Sequence, residues 1–591
     1  MSRAAESFLG VADSLRNRRW VGPPPAQERA AAALMQSTGL PLPLCQVLAH
    51  RGVAHAEVAA FLAPDLRSLM PDPRSLRDMP RAAARLVEAV HQQQRIAIFA
   101  DYDVDGGSSA ALLIHWLRYV GRAATLYVPD RVAEGYGPNA PAMAGLARAH
   151  DLIVCVDCGT LGHAAIAAAV GADVIVLDHH LAGEVLPECT AIVNPNRQDE
   201  SGALSYLCAA GVVFLLLVEA NRQLRQEGMR GPDLLALLDL VALATVADVV
   251  PLVGLNRALV RQGLRVMARR ERPGLRALVD ISNVHGPVGA FHLGFVLGPR
   301  INAAGRVGRA DLGARLLSTE DAAEASAIAA RLDALNRERR TLQAAVLRAA
   351  QAQVQAHGQE SPLVWAQGEG WHPGVLGIVA ARLAEATSRP AVVMGLEGET
   401  ARGSARSRPG IDLGTAVQHL AAEGLLLHGG GHRMAAGLTA LRGGVAAAMA
   451  RLCALLAQQG AAAESEATLL RLDGVLMSAA VSVDLIKSVE TAGPFGASAP
   501  APRFAFPECR CLFVRKIGEG HVRLRFSNGG GRAVDAVAFD AFETPMGAAL
   551  LAHDGALFHL AGRLEMDQWQ GGGRPQLRLE DAAPAQPPRR G

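Results

Sequence analysis

The sequence predicts an α/β protein in successive parts: a parallel-sheet domain, a smaller α/β domain joined to it by one long helix, and a small β-barrel near the C-terminal end. Three observations carry this. Short β-rich runs alternate with helical stretches from Arg95 onward, the span 320–356 lacks Gly and Pro, and period-two alternation takes over after Phe504. At 591 residues the chain exceeds the roughly 250–300 residues that one core sustains, so several domains are expected.

Residues 1–80 carry Pro23-Pro24-Pro25, Pro41, Pro43, Pro64, Pro71 and Pro73 between short helical patterns, and predict a small N-terminal cap. The domain 81–310 follows. Its strands are expected at 96–100, 125–128, 152–156 and 174–177, with helices such as 108–120 and 163–170 between them, the pattern of a parallel sheet covered on both faces. The apolar run 204–218 is shorter than the ~20 residues that span a bilayer, so it reads as a buried helix. A connector occupies 311–360. Ser318 and Thr319 are its cap candidates and Gly358 its stop, and the uninterrupted span 320–356 would run roughly 55 Å at about 1.5 Å per residue. The second α/β domain covers 361–460. The barrel covers 461–581, alternating as in Val522-Arg523-Leu524-Arg525-Phe526, with turns at Asn528-Gly529-Gly530-Gly531 and Gly571-Gly572-Gly573. The tail 582–591 reads as disordered.

Half the residues are hydrophobic and 19% are charged, which excludes general disorder. The net charge of +2 does not by itself mark a nucleic-acid binder, and the dominance of Arg over Lys487 and Lys516 reflects base composition first. Eight scattered cysteines do not make a secreted disulfide scaffold and fit a reducing cytoplasm. The Cys155/Cys158 pair lies in an apolar run and reads as core packing. Residues 1–20 hold no apolar stretch of the signal-peptide kind. Without a G-x-x-x-x-G-K-[ST] motif, P-loop ATP chemistry has no support.

The chemistry lies just past the strand ends. Asp101, Asp103 and Asp105 follow the first strand, Asp157 the third, and Asp178-His179-His180 the fourth. In a parallel sheet these carboxyl ends share one edge, where open α/β folds bind ligands. Carboxylates crowded together raise one another's pKa, and a divalent cation relieves this. Oxygen ligands with an occasional imidazole suit Mn²⁺ or Mg²⁺ better than zinc. Asp248, set in the apolar stretch 240–253, is a fourth supplier. The bland reading of any one aspartate is a solvated loop residue or, for Asp248, a helix cap.

At this point the sequence resembles the DHH phosphoesterase family, named for the triplet Asp178-His179-His180. The match runs through Asp101-Tyr102-Asp103-Val104-Asp105-Gly106, Glu134-Gly135-Tyr136-Gly137, Asp157-Cys158-Gly159 and Ala244-Thr245-Val246-Ala247-Asp248. It continues with Arg300-Ile301-Asn302-Ala303-Ala304-Gly305-Arg306, Gly403-Ser404-Ala405-Arg406-Ser407 and Gly430-Gly431-His432 leading to Ala435-Ala436-Gly437. Each motif is weak alone, but the ordered set covers nearly the whole chain.

The resemblance implies two metals, with Asp103 on one, Asp105, His179 and Asp248 on the other, Asp157 bridging, and Asp101 in or just behind the ligand shell. Many relatives carry a histidine where Phe99 stands, so the first metal is expected to lack an imidazole. His180, with Asp101, is the candidate for proton transfer or a phosphate contact. Arg300, Asn302, Arg306, Ser404, Arg406 and His432 would hold phosphate oxygens; taken alone, Arg300 and Arg306 read as salt-bridge residues and His432 as a turn residue. The barrel would be OB-like and hold single strands through Arg515, Lys516, Arg523 and Arg525 and through stacking aromatics, although these charges also fit a solvated strand face. Of Phe504, Phe506, Phe513, Phe526 and Trp569, three or more are expected in the core.

The implied activity is metal-dependent removal of nucleotides from the 5′ end of single-stranded DNA in repair and recombination. The implied setting is cytoplasmic, with a monomeric enzyme and a RecQ-type helicase and a single-strand-binding protein as partners. Dinucleotides or nucleoside bisphosphates are the rival substrates, against which the extra barrel argues. A scaffold without chemistry is the third reading, against which the intact acidic motifs argue.

Overall fold

A computed structural model describes residues 7–131, 133–284, 286–356, 361–460, 469–530, 532–567 and 573–585. The chain divides into two compact units, 70–464 and the pair of segments 1–69 with 465–591.

In the first unit five parallel strands form a sheet: Ile96–Ala100, Ala124–Tyr127, Leu152–Val156, Asp173–Leu177 and Ala191–Val193. The first and third strands, Ile-Ala-Ile-Phe-Ala and Leu-Ile-Val-Cys-Val, are buried at every position. This is the signature of a sheet covered on both faces. Numbered along the chain, the spatial order is 2-1-3-4-5. The chain therefore reverses direction across the sheet between the first and third strands, where such folds open a crevice. The expected strands all form; the fifth, of three residues, is too short to stand out as a periodic run.

The helix expected at 108–120 starts earlier, as Val104–Tyr119, because Asp103 caps it by accepting from the N–H groups of Asp105 and Gly106. The apolar run near 204–218 becomes the buried start of Ala209–Gln226. Among the described residues no helix is long and apolar enough to cross a membrane. Cys155 and Cys158 are buried in the core, where burial pushes both thiols up.

The long helix is Ala322–Ala356. It is Ala-rich, without Gly or Pro, and so keeps high helix propensity throughout. It leads to a five-stranded mixed sheet ordered His428–His432, Ala435–Leu441, Thr400–Arg406, Ala391–Glu397 and Val364–Glu369.

In the second unit the strands Phe504–Ile517, His521–Ser527, Val534–Ala538, Leu557–Asp567 and Arg574–Pro584 close into a barrel, the first pairing with both the second and the fourth. Phe504, Phe506 and Phe526 fill it, whereas Phe513 is 40% exposed; Trp569 lies outside the described residues. Residues 7–69, expected as a cap, share this core: Leu44, Val47 and Leu48 pack in one cluster with the three barrel phenylalanines. The tail reading needs correction at its start. The last strand runs to Pro584, and buried Asp581 accepts hydrogen bonds from Ser14 (2.7 Å) and Trp20 (3.1 Å). Residues 586–591 lie outside the described residues.

Candidate active site

Four strand or helix ends deliver the acidic side chains to the point where the strand order reverses. Asp101 follows the first strand and is 3% exposed; Asp157 follows the third and is 2% exposed. Asp157 adopts φ +61°, a left-handed conformation uncommon for a residue with a side chain. Such strain is typically retained where it aims a functional group. Gly106 is required by close approach, because a Cβ there would run into the Asp101 carbonyl. Asp105 is anchored at the start of Ala209–Gln226, accepting from the N–H groups of Ala209 (2.7 Å) and Ala210 (2.8 Å). Asp248 sits at the end of Leu238–Ala247.

His179 joins the clusters: its Nε2 lies 3.7 Å from Asp105, 3.4 Å from Asp157 and 3.5 Å from Asp248. Ligand-type atoms converge within 4.8 Å in three sets: Asp101, Asp103 and Asp157; Asp105, His179 and Asp248; and Asp157, His179 and His180. Asp157 is shared by the first and third sets and His179 by the second and third. Oδ1 of Asp101, Oδ1 of Asp157, Nε2 of His179 and Oδ2 of Asp248 are buried without a hydrogen-bond partner. Burial and then the neighbouring carboxylates push Asp101 and Asp157 well above the usual range, and Asp248 up to about 9. Burial raises Asp105 as well, against the pull of His179. Such groups are stable as carboxylates only with added positive charge nearby, so this donor set fits hard divalent cations. Phe99 offers no ligand atom: it is wholly buried and stacks on Tyr127 at 5.3 Å.

Asp178, the first residue of the triplet, serves its neighbours instead. It accepts from the backbone of Thr160, His179 and His180 and from the His180 ring at 2.8 Å. Burial alone would raise Asp178, but these hydrogen bonds hold its carboxyl below the usual range. Burial likewise opposes charge on His180, yet the Asp178 bond outweighs it and brings the imidazole up to about 9. The Tyr136 hydroxyl lies 3.1 Å from the His180 ring and donates to the Asp157 carbonyl at 3.0 Å.

Facing the carboxylates is a group of arginines. Arg306 is driven down to about 10 by burial and then by Arg131 and Arg339; Arg406 is lowered by burial and by Arg131. Neither Arg306 nor Arg406 forms an ion pair among the described residues. Arg306 donates to the Gly374 carbonyl at 3.2 Å and Arg406 to Ser404 Oγ at 3.1 Å. Arg131 lies over the Tyr102 ring at 5.1 Å. With Gly374, Arg402, His428 and the glycines 429, 430 and 437, it lines a crevice of about 570 Å³ between the parallel-sheet domain and the second sheet.

The expected substrate residues divide here. Asn302 takes the Val104 N–H at 3.0 Å, between the first-strand aspartates. Arg306, Ser404 and Arg406 gather together. Arg300 is tied at 2.9 Å to Asp333 of the long helix, the salt-bridge arrangement weighed for it above. His432 is exposed at the end of its strand, whereas His428 lines the crevice. Sequence reasoning missed Arg131 and His428. Arg131 lies three residues before the Glu134-Gly135-Tyr136-Gly137 motif, and that proximity was the available signal.

On the barrel, strand register puts Phe513 opposite Arg525 and Arg515 opposite Arg523, so these four share a face. Lys516 pairs with buried Val522 and thus points to the other side, its Nζ 3.8 Å from the Phe542 ring. Asp535 lies 3.8 Å from both Arg523 and Arg525.

Comparison with known proteins agrees with this architecture. Residues 95–245 match the DHH family N-terminal domain, 360–458 the DHHA1 domain and 472–581 the RecJ OB domain. The chain is 36% identical to the single-stranded-DNA-specific exonuclease RecJ of Dickeya dadantii, covering 94% of this chain and 99% of that one. It is 34% identical to the Escherichia coli protein of the same name, over 92% and 96% of the two chains. The crystal structure of RecJ with Mn²⁺ from Thermus thermophilus superposes with a TM-score of 0.77 at 31% identity, covering 95% of this chain and 79% of that one. Identity sustained across all three matched domains, with every acidic motif in place, makes the chain a member of the RecJ family of single-stranded-DNA-specific exonucleases.

Proposed function

We propose that this protein removes nucleotides from the 5′ end of single-stranded DNA, hydrolysing one phosphodiester at a time. The observation that carries the reading is the pairing of buried, unsatisfied ligand atoms at the sheet edge with a group of arginines opposite them. Asp101, Asp103 and Asp157 would hold one cation and Asp105, His179 and Asp248 the other, with Asp157, 3.4 Å from His179, placed between them as the bridging candidate. Bound there, two Mn²⁺ or Mg²⁺ ions would supply the positive charge that activates a water and stabilises an in-line displacement at phosphorus.

The side chains do the rest. Arg131, Arg306 and Arg406 would bind phosphate oxygens, for which guanidinium forks are well shaped, and Ser404 orients Arg406. Asn302 holds the Asp103–Asp105 turn in place through the Val104 N–H. With Nδ1 of His180 donating to Asp178, the proton it can offer sits at Nε2. We assign that proton to the 3′ oxygen of the departing terminal nucleotide as its bond to phosphorus breaks. The 5′ polarity rests on the family resemblance. On the same reading the enzyme acts as a cytoplasmic monomer in repair and recombination, on strands opened by a RecQ-type helicase and covered by single-strand-binding protein.

Digestion of 5′- and 3′-labelled single strands with and without Mn²⁺ tests the reading. Early release of the 5′ label, only with metal, is expected. Earlier release of the 3′ label, or efficient cutting of closed circles, would overturn it.

A further inference from the structure

Phe291 and Phe295 are large apolar side chains left 53% and 74% exposed. Their rings stack on each other at 5.2 Å with 23° between planes. They ride on a continuous helical rod formed by Ala290–His292, a π-helical turn Leu293–Leu297, and Gly298–Val307. Single π turns inside helices concentrate at functional sites.

One face of the rod is pressed onto the active centre. Leu293 and Leu297 are wholly buried. A Cβ on Gly294 would meet Val246 and one on Gly298 would meet Ala247, the residues that lead into Asp248. The phenylalanines fall on another, exposed face. Gly298 and Asn302, four residues apart, both meet Val104 on the buried side, while Phe291 and Phe295, also four apart, stand together on the exposed side. Further along the rod, Asn302 reaches the Asp103–Asp105 turn and Arg306 comes near Arg131 and Arg406. The step from Phe295 to Asn302 is roughly 10 Å at about 1.5 Å per residue, within reach of the strand's terminal bases.

We propose that Phe291 and Phe295 form a two-ring platform on which bases of the single strand stack as it enters the carboxylate cluster. This rests on the nuclease reading above. Every base presents a π-face, so aromatic stacking holds a strand without selecting its sequence. A duplex keeps its bases stacked on each other and cannot use the platform, which makes these residues a source of single-strand preference.

Binding of a labelled oligothymidylate in EDTA measures this without turnover. Phe295→Ala and the double alanine variant should lose about 5- to 100-fold in affinity. Phe295→Leu, which keeps the apolar bulk and removes the ring face, should lose nearly as much, and Phe295→Trp should retain affinity with its fluorescence quenched by the oligonucleotide. An abasic site stepped inward from the 5′ end should weaken wild-type binding at one or two positions and leave Phe295→Leu unaffected there. Wild-type affinity in Phe295→Leu, or an unquenched tryptophan on a bound strand, overturns the platform. Failure of the wild-type protein to degrade single strands with Mn²⁺ would instead defeat the nuclease reading, and the metal-free binding data would still decide the platform.

Discussion

The carboxylate cluster and the arginine group near it are charged in opposite senses, and neither is balanced alone. At the sheet edge, burial and then the neighbouring carboxylates raise Asp101, Asp157 and Asp248; in the arginine group, burial and then Arg131 lower Arg306 and Arg406. Folding could have relieved both by letting acid meet base. Instead the acids are fixed by strand ends and helix starts and the arginines by other elements. On the proposed reading the first would receive cations and the second phosphate, so that a metal-bound strand would neutralise both at once.

The largest expected effect comes from breaking the acidic side at its link. Asp157→Ala should reduce turnover by about 100-fold or more, beyond the 10–100-fold typical of residues that only support a ligand, while strand binding largely survives. Retention of more than a tenth of the wild-type rate with Mn²⁺ would remove Asp157 from the bridging role.

On the basic side, Arg406→Ala deletes a hydrogen bond to charged phosphate worth about 1.5–3 kcal/mol. KM should rise roughly 10- to 150-fold, with Mn²⁺ affinity in the absence of DNA unchanged. Weakened metal binding in this variant would mean that the two sides are not separable.

The balance can also be shifted by pH. Asp101, Asp105 and Asp157 titrate above their unfolded values and Asp248 at about 9. The metal-free native state therefore binds more protons than the unfolded chain, and its stability falls as pH rises from the usual carboxylate range towards about 9. Because cations compete with those protons, the Tm gained on adding Mn²⁺ should be larger at pH 8.5 than at pH 6. A pH-independent gain would argue against ligation by these carboxylates.

The smallest effect belongs to the barrel. Arg523→Ala and Arg525→Ala should each flatten the log–log salt dependence of long-strand binding by about 0.7 or less, since Asp535 already offsets part of their charge. An unchanged slope in the double variant would leave strand holding to the crevice. Deleting the barrel is the poorer experiment, because residues 7–69 share its core.

By itself the sequence determined the elements and the donor set. Strand and helix periodicities are local, so Ile96–Ala100, Leu152–Val156 and the long helix could be read from side-chain spacing; Asp101, Asp103, Asp105 and Asp157 follow because they sit one to five residues beyond strand ends, and Asp248 because it interrupts an apolar stretch. The same holds for Phe526, which stands between Arg525 and Ser527 in an alternating strand. Tertiary structure alone decided what meets across long stretches of chain. Spatial order 2-1-3-4-5 placed Asp101 beside Asp157, Arg300 found Asp333, Arg131 came to face Arg306 and Arg406, and Asp581 was tied to Ser14 and Trp20. Register turned Lys516 away from Arg515. The physical reason is that periodicity constrains a residue only against neighbours a few positions away, whereas these contacts depend on how whole elements pack, to which no single residue's pattern is bound.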